Sequence, residues 1–192
     1  MNMLGVYGSP REGGNTQILL DIVLKAAEES GARVQRLYLR RMIFDSCTAC
    51  GACAKTGVCI LRDDMTEAYP LIEACQVMVL AFPIHFYGPP ALAKTFIDRA
   101  QALFCGRALK KLKEEWGAHE GGSGYLLSVG ATRGEMLFAP SELMVKYFYD
   151  ALDMDYGGGM FFRNLDALAA VKGHPEHLQA VADWGAHLAK NW

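Results

Sequence analysis

No stretch of this 192-residue chain approaches the ~20 consecutive apolar residues that a membrane-spanning helix requires. A basic excess is also missing. Lys and Arg number 19 against 21 Asp and Glu, a formal charge of −2, which argues against a nucleic-acid partner. The first eight residues show no apolar h-region followed by a cleavage site, so the sequence predicts a soluble cytoplasmic protein, with neither nucleic acid nor membrane as partner. Internal repeats, low-complexity tracts and linkers are absent. Two phosphate-binding signatures are missing as well. Without GxxxxGK[ST] there is no ATP or GTP loop, and without GxGxxG a nicotinamide-type Rossmann fingerprint is unsupported. With 52% hydrophobic and 21% charged residues, disordered and fibrous classes are excluded. The length predicts one domain over 1–192.

What is present alternates between two periods. Residues 4–7 form a short apolar run and read as a buried strand. Residues 16–30 place Ile18, Leu19, Ile22, Val23, Ala26 and Ala27 at helical spacing, and Gly31 stops them. A second strand is expected at 33–39, then a cysteine-rich loop insertion at about 45–62. Asp63 and Asp64 can cap a short helix reaching 74, interrupted or restarted at Pro70. Residues 77–82 are nearly all apolar, as in a strand covered on both faces. A loop at 83–90, a helix at about 91–104 and a looser stretch at 106–124 follow. The remainder predicts a strand at 125–129, a turn at 130–134, a helix at 140–151, a weaker strand at 154–162 and a last amphipathic helix at 175–190. Such alternation predicts an α/β fold, a doubly wound parallel sheet with helices on both faces.

The segment joining the first strand to the first helix is Gly8-Ser9-Pro10-Arg11-Glu12-Gly13-Gly14-Asn15-Thr16. Ser9 and Thr16 bring hydroxyls, Asn15 an amide and Arg11 a permanent cation. Glycines such as Gly14 let backbone N–H groups approach a ligand. The next helix contributes its unpaired N–H groups and positive dipole end. Together these make an anion cradle. The competing reading is an ordinary turn with Asn15 or Thr16 as N-cap.

Six cysteines are present, and four of them, Cys47, Cys50, Cys53 and Cys59, fall within thirteen residues. In a cytosolic chain such a group reads as a metal or redox site rather than a disulfide framework. The spacing C-x2-C-x2-C-x5-C suits one compact cluster. Bacterial ferredoxins use C-x2-C-x2-C-x3-C-P. A tetrathiolate zinc site, a redox disulfide such as Cys50–Cys53, and cysteines holding nothing are the other readings. Cys75 and Cys105 are expected to be packing residues.

The loop at 8–16 resembles the FMN-phosphate loop of the NADPH-dependent FMN reductase family, a flavodoxin-like branch. The resemblance continues through Phe82-Pro83-Ile84-His85-Phe86-Tyr87-Gly88, Lys94 and Phe96-Ile97-Asp98-Arg99. The cysteine segment, with Gly57 and Asp63-Asp64-Met65, resembles the iron–sulfur flavoprotein members. Two departures stand out: His85 where Tyr is usual, and Pro89-Pro90 in place of a Ser-Gly type pair. The resemblance implies a flavodoxin-like five-stranded sheet of order 2-1-3-4-5. It implies FMN, with phosphate on Ser9, Arg11, Gly14, Asn15 and Thr16. Pro83, Ile84, His85, Phe86 and Tyr87 would hold the ribityl chain and ring edge, and Gly130, Ala131, Thr132, Arg133 and Gly134 the ring's polar end. A [4Fe-4S] cluster would sit on Cys47, Cys50, Cys53 and Cys59. NAD(P)H or ferredoxin would be the donor, a small molecule or redox protein the acceptor, and the assembly a homodimer or homotetramer. The implied activity couples two-electron flavin chemistry to one-electron transfer. The alternatives are a flavin-only NAD(P)H-dependent FMN, quinone or azo reductase, and a non-enzymatic flavodoxin-like electron carrier. Flavin chemistry needs no side-chain nucleophile or base, so no catalytic residue is assigned. Asp98 and Arg99 read as partners in structural salt bridges.

Overall fold

The computed structural model describes residues 1–113 and 121–191. Its centre is a five-stranded parallel sheet of β1 (Asn2–Tyr7), β2 (Arg33–Tyr38), β3 (Val77–Pro83), β4 (Gly122–Val129) and β5 (Met154–Phe162), in the order β2-β1-β3-β4-β5. This is the doubly wound order of flavodoxin-type sheets. The helices are α1 (Asn15–Glu29), α2 (Ala52–Thr56), α3 (Met65–Ala74), α4 (Ala91–Arg99), α5 (Gln101–Leu112), α6 (Ala139–Ala151) and α7 (Pro175–Lys190).

Strand alternation splits the core into two layers. Leu4, Val6, Met78, Leu80, Phe82 and Leu126 face α3, α4 and α6. Met3, Tyr7, Val77, Val79, Ala81 and Leu127 face α1 and α7. Residues 77–82 are therefore buried on both faces, which is why they are apolar without alternation. β5 lies at an edge and alternates in exposure. Its register slips opposite Tyr125, where Gly158 takes φ +100° and Gly157 leaves room for the Tyr125 ring.

Four features differ from the sequence expectation. The single helix expected at about 91–104 is two, α4 and α5, which meet at Ala100. α3 runs through Pro70 without a break. Gly106 does not end a helix; it lies inside α5, which continues to Leu112. β4 starts at Gly122 rather than 125, since Gly122 pairs with β5, and Ser123 and Gly124 pair with both β3 and β5. Residues 114–120 of the expected loose stretch lie outside the described residues. Among the described residues no helix is long and apolar enough to cross a membrane.

Candidate functional site

All five strands point the same way, so the loops after β1, β3, β4 and β5 meet at one edge. Backbone bonds fix where three of them start. Gly8 N–H donates to the Ala81 carbonyl (2.7 Å), Ile84 N–H to that of Val129 (2.8 Å), and Gly130 N–H to that of Phe162 (2.9 Å). β1 and β3 are the neighbours at which the strand order reverses, the place where such sheets bind ligands. A cavity of 240 Å³ opens there, lined by Ser9, Arg11, Gly14, Asn15, Thr16, Pro83, Ile84, His85, Gly130 and Ala131 among others.

One end of this cavity is the start of α1. Gly14, rather than Asn15 or Thr16, is the N-cap, and it has no side chain to cap with. No acidic residue occupies the first turn. The first intrahelical bond runs from Ile18 N–H to the Gly14 carbonyl, 3.1 Å. The N–H groups of Asn15, Thr16 and Gln17 therefore lack a helical acceptor. An uncapped fifteen-residue helix whose end is buried together with Ser9 and Thr16 fits an anion. The Ser9 hydroxyl accepts from the Arg11 N–H at 3.2 Å and shapes the loop. The Arg11 guanidinium makes only a 3.5 Å contact, to the Asp166 carbonyl.

Asn15 has a different task from the one its position suggests. Its amide donates to the Ala167 carbonyl at 2.9 Å, and its oxygen accepts from the Val171 N–H at 3.0 Å. The side chain thus clasps the segment after β5 against the start of α1. Leu165, Asp166, Ala167 and Leu168 of that segment line the cavity.

A second cavity, of 390 Å³, holds the cysteine motif. Cys47, Cys50, Cys53 and Cys59 all line it, with Arg99 and Cys105. Three left-handed residues fold the loop around it: Ala49 at φ 53°, and Gly51 and Gly57, both at φ 74°, at the two ends of α2. All six cysteines are free thiols. Burial and the neighbouring Cys105 thiol push Cys53 up to about 11. Arg99 anchors both ends of the loop. It donates to the Asp45 carbonyl (2.8 Å) and forks onto the Asp63 carboxylate (2.5 and 3.0 Å). Its Nε–H is buried with no hydrogen-bond partner. Four thiols and an unanswered buried donor around one cavity fit a sulfur-rich cluster, whose sulfurs accept such hydrogen bonds. Asp98, by contrast, pairs on the surface with Lys94 at 2.6 Å.

Residues 1–157 match the family described as NADPH-dependent FMN reductase. The chain belongs to this FMN reductase family. It is 40% identical over 99 residues to an iron-sulfur flavoprotein of Archaeoglobus fulgidus, covering 52% of this chain and 45% of that protein. It is 32% identical over 133 residues to one of Methanosarcina thermophila, covering 69% and 65%. The chain thus spans about half to two thirds of the length of these relatives. The fold is also that of an NAD(P)H:quinone oxidoreductase from Methanothermobacter marburgensis, with TM-score 0.72, 16% identity and 98% of each chain covered.

Against the contacts that the FMN reductase resemblance implies, the structure gathers ten residues into the first cavity and leaves five beyond it. Phe86, Tyr87, Thr132, Arg133 and Gly134 do not line it. Tyr87 and Gly134 touch each other, a Cβ on Gly134 falling 2.6 Å from the Tyr87 hydroxyl oxygen. Arg133 donates to the Asn164 side chain at 3.1 Å. Phe86 is fully exposed. The segment at 165–168 carries no motif, so the sequence reading missed it. Its bond to Asn15, through the Ala167 carbonyl, uses a main-chain group that any residue supplies. The one signal for Cys105 was its count outside the motif.

Proposed function

We propose that this protein is a cytoplasmic FMN-dependent oxidoreductase that also holds a [4Fe-4S] cluster. The observation that carries the reading is the pairing of two differently built cavities along one helix. The loop leading into α4 lines the anion-binding cavity, and Arg99 at its far end lines the four-thiol cavity. Such a layout suits passage of electrons between two centres.

Bound FMN supplies hydride acceptance and single-electron release, and a cluster supplies one-electron transfer. This chain's residues would bind and orient both. The α1 N-terminus, Ser9, Arg11 and Thr16 would hold the phosphate. Asn15 would keep the segment at 165–168 against it, excluding water. Pro83, Ile84, His85, Gly130 and Ala131 would flank the rest of the flavin, with Phe86, Tyr87, Thr132, Arg133 and Gly134 at its outer rim. Cys47, Cys50, Cys53 and Cys59 would ligate the cluster, and Arg99 would place a cation beside it. NAD(P)H or ferredoxin is the donor class, a small molecule or redox protein the acceptor, and a homodimer or homotetramer the assembly.

The test is an anaerobic absorption spectrum of fresh protein, with FMN, iron and acid-labile sulfide counted per chain. One FMN with about four irons and four sulfides is expected. One FMN without iron after anaerobic reconstitution would overturn the cluster and leave a flavin-only NAD(P)H reductase. Failure to take up FMN would overturn the whole reading.

A further inference from the structure

Cys105 lies outside the four-cysteine motif, yet the fold delivers it to the same cavity. Its sulfur is 3.7 Å from that of Cys53. Backbone contact sets this approach. Gly57 follows Cys53 by one helical turn, and Gly106 follows Cys105. A Cβ on Gly57 would fall 3.0 Å from the Gly106 Cα, and one on Gly106 would fall 3.1 Å from the Gly57 carbonyl oxygen. α2 and α5 therefore touch main chain to main chain at this point. One turn before Cys105, the Gln101 amide donates to its sulfur at 3.4 Å. Cys105 itself is buried, while Cys53 is partly exposed in the cavity wall.

We propose that Cys53 and Cys105 are a redox-closing pair that a peroxide converts to a disulfide, withdrawing Cys53 from the metal-binding set. A disulfide is about 2.0 Å long, so the sulfurs close by roughly 1.7 Å, within the reach of side-chain torsions. The two thiols give up two protons and two electrons, and hydrogen peroxide takes them up to leave as two waters. A Cys53 sulfur held by iron is not available to Cys105, so cluster and disulfide exclude one another. That consequence rests on the proposed cluster; the closure itself does not. The one disulfide among the alternatives that the sequence leaves open lies within the motif, Cys50 with Cys53. The structure sets Cys53 against a residue 52 positions away.

The experiment uses the full chain, purified anaerobically, with iron counted first. Aliquots are treated with hydrogen peroxide, free thiols are alkylated, and the protein is digested without reduction for mass spectrometry. The expected product joins the Cys53 and Cys105 peptides with loss of two hydrogens, and Cys105→Ser lacks it. Iron-loaded protein should close at least tenfold more slowly than chelator-treated protein, and Cys105→Ser should keep the wild-type iron content. Cross-links confined to Cys47, Cys50, Cys53 and Cys59, or full recovery of both thiols as alkylated, would overturn the proposal. So would iron loss in Cys105→Ser, which would make Cys105 a ligand. A preparation without iron counts against the cluster, while the cross-link map still decides the pair.

Discussion

Arg99 grips Asp63 with both guanidinium arms, at 2.5 and 3.0 Å, directly behind the cysteine loop. Arg99 is 1% exposed, and its third contact, to the Asp45 carbonyl, joins the entry of the loop to its exit. Removing one member of a buried pair leaves the other charge uncompensated, at a cost of about 3–5 kcal/mol. Asp63 keeps some contact with water, so Arg99→Met should lose about 3 kcal/mol, the lower end of that range, in urea unfolding. It should also lose iron before flavin, since α4's far end faces the thiol cavity. An unchanged urea midpoint would show that the fork does not hold the loop.

The same pair sets an acid limit. Burial opposes ionisation of Asp63, but the Arg99 guanidinium and the N–H groups of Asp45 and Met65 outweigh it and hold the carboxyl below its ordinary range. A carboxyl depressed in the folded state stabilises fully above its unfolded value of about 3.9 and loses that contribution as pH falls toward the folded value. Wild type and Asp63→Asn should therefore differ most at neutral pH and converge below about pH 4. Urea midpoints for both proteins across that window check the sign. A gap that widens in acid would be the wrong sign.

The sheet was legible because burial on both faces forces strand residues such as 77–82 to be apolar. The connection at 8–16 was legible as a strand-to-helix loop because its glycines and polar residues break both the strand and the helix period. Gly106 opens the stretch expected to be loose, yet it lies within α5, where its missing Cβ admits Gly57. The clasp from Asn15 to the segment at 165–168 links positions more than 150 residues apart, and local pattern carries no trace of it. The five expected contacts beyond the first cavity came from the family resemblance rather than from the chemistry of those residues.

Phe86 and Tyr87 sit at φ 49° and 64° at the tip of a two-residue turn closed by paired bonds between His85 and Gly88. Turns with both central residues at positive φ favour Asn-Gly, and bulky aromatics there are strained. Ser141 donates to the Tyr87 carbonyl at 3.3 Å and helps to hold the turn. Phe86 is fully exposed, so Phe86→Asn sacrifices no packing and should stabilise the fold by about 0.5–1 kcal/mol. The same change should slow NAD(P)H oxidation, because strain kept at a site rim costs stability for function. A lower melting temperature would remove the strain argument. Unchanged turnover would remove Phe86 from the rim.

Arg11 in the loop and Asn15 at the start of α1 stand four residues apart, and their bonding separates a cation with one long contact from a clasp. Arg11 is nearly unspent, so Arg11→Ala should leave stability unchanged and weaken FMN about tenfold, or 1.4 kcal/mol. Riboflavin, which lacks the phosphate, should bind the variant and the wild type equally. The FMN deficit should shrink at high salt, where screening already weakens the wild-type contact. Asn15→Ala behaves differently. It leaves the buried Val171 N–H without an acceptor and should destabilise the fold by about 1–3 kcal/mol. It should weaken FMN as well, through release of the segment at 165–168. Flavin fluorescence titrations beside urea melts resolve the two effects. Equal loss of FMN and riboflavin in Arg11→Ala would move the phosphate away from this loop. Full stability in Asn15→Ala would show that the segment after β5 is held by its own packing.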